Sequence, residues 1–308
     1  MRIVFAGTPE IGVPSLESLA NEFNVCGVLT NPDREKGRKK ILQPSAVKEK
    51  ALELGIKVFQ PEKLTSEFYN EIIELKPDLL VCIAYGKIFK PEFLNLFPLG
   101  GVNIHPSLLP IYRGPSPISE ALLNGDKESG ISIQRLAQKM DSGNILHQSK
   151  FIISDSDTTG TLTAKIAIDA APLICDVVRN IKNNTVTEFT QDESKATFCK
   201  LIKKEDGRIN WNSSSKNIIN EIRAYNPWPL AQTEFGDKGL NILEATYSDI
   251  EKDGVPGLVR EYSKNSGFLV NTGDGTIWIT MLQLQSKKAL DFKSFNNGVK
   301  DFINSVLG

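Results

Sequence analysis

Histidine is almost absent from this chain: its 308 residues include only His105 and His147. The four cysteines, Cys26, Cys82, Cys175 and Cys199, are far apart and form no Cys-x-x-Cys pair. That excludes a disulfide scaffold and fits buried free thiols in a reducing cytosol. With so few sulfur and imidazole ligands no metal-binding cluster is offered, and no metal is expected. No stretch approaches the apolar length of a membrane span, and the run in Met1–Gly7 is too short for a signal peptide, so a cytoplasmic protein with no membrane association is expected. The formal net charge is −1, so any attraction to nucleic acid must come from local patches. The first turn reads Gly7-Thr8-Pro9-Glu10, not Gly-x-Gly-x-x-Gly, and no Walker loop occurs. Dinucleotide and P-loop chemistry are therefore set aside. There is no internal repeat and no low-complexity tract.

What is present is an alternation of short apolar runs and helical patterns. Strands are expected at 2–6, 25–30, 57–59, 78–84, 101–105 and 130–136, with helices near 11–20, 45–54, 66–75 and 116–123. The continuous run Asp78–Ala84 suits a central parallel strand covered on both faces. This order implies a Rossmann-like, doubly wound, mostly parallel α/β sheet, in which ligands bind at the carboxyl ends of strands. A long helix is expected over 159–181, kinked at Pro172, followed by a polar, lysine-rich linker at 183–204. Beyond it, five strand candidates between 231 and 284 suggest a small OB-type β-barrel over 205–308.

The strand 101–105 ends on His105, and the Pro-bracketed loop Pro106-Ser107-Leu108-Leu109-Pro110 follows at once. Alternation along the strand puts Asn103 and His105 on one side, with Val102 and Ile104 on the other. An amide and an imidazole thus point together beyond the strand end. A structural reading, a core histidine bonded to a carbonyl, competes with a catalytic one. Asp141, in Met140-Asp141-Ser142-Gly143, reads equally as an Asx-turn residue or as the carboxylate that would orient His105 and move a proton. His147 reads as structural. Finally, Asp33–Lys40 carries five basic residues, Arg34, Lys36, Arg38, Lys39 and Lys40, just after a strand end. Such a run is either a solvated face or a phosphate-contacting loop for single-stranded nucleic acid.

Asn103, His105, the Ser107–Pro110 loop and Asp141 resemble the motif set of the folate-dependent formyltransferases. The opening Val4–Glu10, the loop Asn31–Arg38 and the run Arg223–Pro229 extend that resemblance over nearly the whole chain. It implies a formyl donor, 10-formyltetrahydrofolate, bound along Ser107, Leu108, Leu109 and Pro110, with no metal. It implies Asn103, His105 and Asp141 as the catalytic set. It implies initiator methionyl-tRNA as acceptor, reached by Arg34, Lys36, Arg38, Lys39 and Lys40, in translation initiation. Residues 1–182 would form the catalytic domain, 183–204 a linker, and 205–308 an OB-like tRNA-binding domain; a monomer is expected. In such chemistry Asn103, and a donating His105, would supply hydrogen bonds to a developing oxyanion. Backbone groups of 106–110 and of the Val81–Lys87 loop would pair with the pterin edge. Two other readings stay open: a formyltransferase for an amino sugar nucleotide or a formyl-folate hydrolase, and a non-catalytic RNA-binding protein with a degenerate formyltransferase domain. Residues 205–308 carry 11 Lys and Arg against 13 Asp and Glu, so a tRNA-binding surface there must be a one-sided patch.

Overall fold

The computed structural model describes residues 1–36 and 41–308. The chain runs β1 (Arg2–Gly7), α1 (Val13–Glu22), β2 (Asn24–Leu29), β3 (Arg34–Lys36), β4 (Ile41–Gln43), α2 (Ala46–Glu53), β5 (Val58–Phe59), α3 (Ser66–Ile73), β6 (Leu79–Ile83), α4 (Pro91–Leu94) and β7 (Gly101–His105). It continues through α5 (Pro117–Leu123), β8 (Glu128–Arg135), β9 (Ile145–Ile152) and α6 (Thr159–Lys182). Local signals account for the helix starts. Pro14 stands in the first turn of α1, Ser45 accepts from the Lys48 N–H to cap α2, and Thr65 accepts from the Phe68 N–H to cap α3. All five residues of β6 are buried, as a strand covered on both faces requires.

The seven-stranded sheet has the order β5-β2-β1-β6-β7-β8-β9. Pairings from β5 through β7 are parallel, and β8 and β9 add antiparallel at one edge. The expected Rossmann-like, mostly parallel sheet is therefore present. The chain leaves β1 on one side through β2 and β5 and returns on the other through β6 and β7, so the order reverses between β1 and β6. His105 is the last residue of β7, on the same sheet edge as the loops after β1 and β6. One face of this sheet is filled by aromatic rings: Tyr85, Phe89 and Phe93 stack in sequence at 5.4 Å between centroids, and Phe97 meets Phe93 edge-on.

Two compact units emerge: 1–117 with 128–152 and 163–200, and 118–127 with 153–162 and 201–308. Residues 183–200, expected as linker, lie within the first unit because their backbone pairs with it: Phe189 exchanges both hydrogen bonds with Ile145, and Thr197 accepts from the Arg113 N–H. Residues 153–162 join the second unit because Thr159 bonds the Ala224 carbonyl and Arg223 donates to the carbonyls of Asp157 and Ser154. The second unit contains α7 (Ser215–Ala224), β10 (Ala231–Phe235), β11 (Lys238–Tyr247), β12 (Val259–Ser263), β13 (Gly267–Asn271), β14 (Thr276–Leu284), β15 (Leu290–Asp291) and α8 (Phe292–Gly298). All five expected strands form, in an antiparallel sheet of order β10-β11-β14-β13-β12, with β15 on β14. Its core centres on Phe268, Phe295 and Phe302, whose rings meet edge-on, beside Trp211.

The segment after His105 is fastened by one hydroxyl. Ser132 on β8 is fully buried; its Oγ donates to the Ser107 carbonyl (2.6 Å) and accepts from the Leu109 N–H (3.0 Å) and the Gln148 amide (2.9 Å). Removing it strands a buried donor and a buried acceptor, at a cost of roughly 2 kcal/mol. Ser132→Ala is therefore expected to lower the urea midpoint of the full chain by that equivalent, and an unshifted midpoint would contradict this account of the loop.

Candidate active site

The site is built on one face of three strands. In an antiparallel pair, residues opposite each other share a face. Asn103 on β7 faces Gln134 on β8, and His105 faces Ser132, which faces Gln148 on β9. The result is a polar patch of Asn103, His105, Ser132, Gln134 and Gln148, while Val102, Ile104, Ile131 and Ile133 fill the opposite, apolar face. The alternation in Ile131-Ser132-Ile133-Gln134 is the sequence signal that could have added Ser132 and Gln134 to the candidate set.

His105 is 3% exposed, and its Nε2 lies 2.9 Å from the Tyr112 carbonyl. A carbonyl only accepts, so Nε2 carries the hydrogen. The other ring nitrogen, Nδ1, faces Asp141 Oδ2 at 3.6 Å. Burial lowers the ring's pKa from its ordinary 6.5, outweighing the raising effects of the Asp141 carboxylate and the Tyr112 bond. At neutral pH the ring is thus uncharged, and Nδ1 presents a lone pair. The neutral ring has no spare N–H for an oxyanion: the donor role expected of His105 would need the protonated ring. The unfolded chain binds this proton at higher pH than the folded one, so the group's contribution to stability is lost as pH falls from the ordinary value through the lowered one.

Asp141 belongs to the same cluster. It adopts left-handed backbone geometry (φ +50°) at the turn before β9. Its Oδ2 accepts from the Gly114 N–H and its Oδ1 from the Gln134 amide, both at 2.9 Å. A carboxylate held on both oxygens cannot rotate away from the imidazole. Gly143, two residues on, must be glycine, because a Cβ there would sit 1.9 Å from the Arg135 carbonyl oxygen. Asn103 is half-buried, and its amide makes no hydrogen bond among the described residues, which leaves it available to a ligand. The structure therefore brings together Asn103, His105 and Asp141 and adds Gln134, the Gly114 N–H and the Tyr112 carbonyl. These last two backbone groups leave no side-chain signal in the sequence.

The loop 107–110 offers a ligand less polarity than expected. Ser107 Oγ donates to the Ile111 carbonyl (2.6 Å), the Ser107 and Leu109 N–H groups are engaged internally, and the Leu109 carbonyl accepts from Gln148. Among the described residues the Leu108 N–H is the one backbone donor of this loop left open, while the Leu108 and Pro110 carbonyls accept from Ile111 and Thr197, so the loop otherwise contributes mainly apolar surface. The loop after β6 turns through Ala84 and Gly86, both at positive φ, and its Tyr85 carbonyl accepts from Asn31. Lys87 donates to the carbonyls of Pro61 and Glu62. His147 is half-buried on β9, away from this set in the register. Arg34 and Lys36 lie on β3, which pairs antiparallel with β4, so ordered strands flank the basic run that was read as a loop. Asp33 anchors its base, accepting from Lys48 at 2.7 Å and from Gln60 at 2.7 Å, bonds that hold its carboxyl below the usual range. Arg38, Lys39 and Lys40 lie outside the described residues.

A donor amide without an internal partner, a neutral imidazole with an accepting nitrogen and a clamped carboxylate suit attack by a neutral nucleophile on a carbonyl carbon. A family model described as formyl transferase matches residues 1–178, and one described as formyl transferase, C-terminal domain, matches 201–300. The chain is 44% identical over 316 residues to the methionyl-tRNA formyltransferase of Treponema denticola, covering 98% of both chains. It is 42% identical to that of Listeria welshimeri over 96% of this chain and 95% of the relative. It is 40% identical to that of Borreliella afzelii, over 99% and 98%. Among solved structures, the sugar 3N-formyl transferase WlaRD shares the fold at a TM-score of 0.67 and 23% identity, over 94% of this chain and 99% of that one. HypX from Aquifex aeolicus, in complex with tetrahydrofolic acid, shares it at 0.64 and 16%, over 99% of this chain and 48% of that one. Covered end to end at this level of identity, the chain belongs to the formyl transferase family, among the methionyl-tRNA formyltransferases.

Proposed function

We propose that the protein transfers a formyl group from 10-formyltetrahydrofolate to the free α-amine of initiator methionyl-tRNA, for translation initiation in the cytoplasm, as a monomer and without a metal. The observation that carries the reading is the clamped Asp141 carboxylate 3.6 Å from a buried His105, beside the unpartnered Asn103 amide. The folate supplies the formyl carbon. Asn103 donates an N–H to the formyl oxygen as it gains charge. His105 Nδ1 accepts the proton that the attacking amine sheds, and Asp141 stabilises the resulting imidazolium. The same proton then returns to the departing folate nitrogen, so no net charge is left at the site. Leu108, Leu109 and Pro110 would line the folate, with Ser107 shaping the turn rather than bonding the ligand. Arg34, Lys36, Arg38, Lys39 and Lys40 would meet acceptor-end phosphates. The second unit would hold the tRNA body as an OB-type domain. In favour of the OB-type reading are the β-bulges that bend β11 and β12.

Incubation with 10-formyltetrahydrofolate and methionyl-tRNA, scored for formyl-methionine against free methionine and an amino sugar nucleotide, tests the assignment; formylation of the sugar alone would refute it. His105→Ala and Asp141→Asn are expected to abolish transfer while leaving tRNA binding unchanged, and Asn103→Ala to cost about 10²–10³ in rate. By NMR the His105 ring should titrate below 6.5 and lower still in Asp141→Asn, because the carboxylate is the charge that holds it up; a rise in that variant contradicts the pairing. Neutralising Arg34, Arg38, Lys39 and Lys40 should flatten the salt dependence of tRNA use, the logarithmic slope falling by about one for each phosphate no longer neutralised. An unchanged slope would leave the loop a solvated face.

A further inference from the structure

The segment 189–199 runs beside the catalytic loops and carries a side chain whose every hydrogen-bonding position is filled. Gln191 is 6% exposed. Its Oε1 accepts from Arg113 Nη2 (2.7 Å) and Nε (3.1 Å), which uses both lone pairs. Its Nε2 donates to the carbonyls of Gly143 (2.7 Å) and Asp141 (2.9 Å), with Gln134 Oε1 at 3.2 Å. The orientation of this amide follows from chemistry alone: a guanidinium only donates and a carbonyl only accepts. Gln191 therefore fastens the left-handed turn at Asp141 by its main chain, while Gln134, which touches Gln191, fastens the Asp141 carboxylate.

Arg113 ties in the other side. It is 2% exposed, yet its guanidinium forms a two-pronged pair with Glu193, at 2.7 and 3.0 Å. Its backbone N–H and carbonyl both pair with the same segment, in a parallel bridge to Phe198: Arg113 N–H to the Thr197 carbonyl and Cys199 N–H to the Arg113 carbonyl, each 2.9 Å. The neighbours of Arg113 are the two groups that reach the catalytic pair. Tyr112 supplies the carbonyl on His105 Nε2, and Gly114 supplies the N–H on Asp141 Oδ2. A displacement of Arg113 would move both groups at once.

We propose that Gln191 and Arg113 are positioning residues for the transfer: they set the separation and orientation of the His105 ring and the Asp141 carboxylate without touching substrate. The inference rests on the function proposed above for its kinetic arm. Its spectroscopic arm needs no substrate. The charged and titratable groups around the pair include Asp141 facing the ring, the Arg113–Glu193 pair behind Gln191, the buried Cys199 thiol on the Tyr112 and Arg113 carbonyls, and the buried thiol of Cys82, which burial pushes up to about 12 and which therefore stays neutral.

The test uses the full chain with Gln191→Ala, and with Gln191→Met, which keeps the volume but loses the amide's acceptor and both donors without adding a charge. Arg113→Lys, which keeps the charge and loses the fork, serves as an independent third variant should the first two fail to fold. Misplacement of a reacting group by about 1 Å costs about 10²-fold, so kcat should fall by that order with KM for both substrates little changed. The His105 titration, readable in a chain with only two histidines, should move below the wild-type midpoint as Asp141 loosens. A folded variant with wild-type kcat, or one that loses kcat while the His105 midpoint stays put, overturns the proposal. A wild-type protein that does not formylate methionyl-tRNA would refute the functional reading instead, and the His105 titration would still decide the positioning role.

Discussion

The Tyr112 carbonyl on His105 is the contact from which the chemistry of the site follows. It takes the only N–H of the neutral ring and so turns Nδ1 into a proton acceptor. A buried, uncharged imidazole is the form that desolvation favours, and a neighbouring carboxylate raises its basicity only as far as that carboxylate is held close. Hence the weight of structure around Asp141: one oxygen on a main-chain N–H, the other on an amide. The pair stands slightly beyond hydrogen-bond length, at 3.6 Å, leaving the ring nitrogen available for a proton from outside.

Such a cluster is costly unless satisfied throughout. Five polar side chains share one sheet face, and a buried donor or acceptor without a partner costs about 1–3 kcal/mol. Ser132 and Gln148 are bonded to loop backbone and to each other, and Gln134 to the Asp141 carboxylate and the Gln191 amide, so the same bonds that offset burial also immobilise the loops. Asn103 stands apart as the amide of this face with no protein partner among the described residues, and it is the group best placed to gain from a ligand.

Charge is arranged differently. The whole chain is nearly neutral, and residues 205–308 carry slightly more acid than base. A polyanionic partner is then best met by concentrated patches. The strand pair β3–β4 presents Arg34 on an exposed edge at one end of a run of five basic residues, anchored by the Asp33–Lys48 ion pair at its base. A patch of this kind gives attraction that depends on salt, without a field that would draw unrelated anions over the whole surface.

The sheet's parallel core and the shared face of Asn103 and His105 were legible in the chain, because period-two alternation and the apolar runs of β1 and β6 are local properties. So were the five C-terminal strands, set off by Gly and Asn turns. Long-range packing had to settle that Asp141, thirty-six residues beyond His105 in number, meets its ring, and that the polar segment 183–200 belongs to the first unit. It settled the state of His105 as well, since that depends on burial and on a backbone carbonyl. Gln191, Arg113 and the Gly114 N–H were illegible in advance for one physical reason: hydrogen bonds between groups far apart in number leave no periodic trace in the chain.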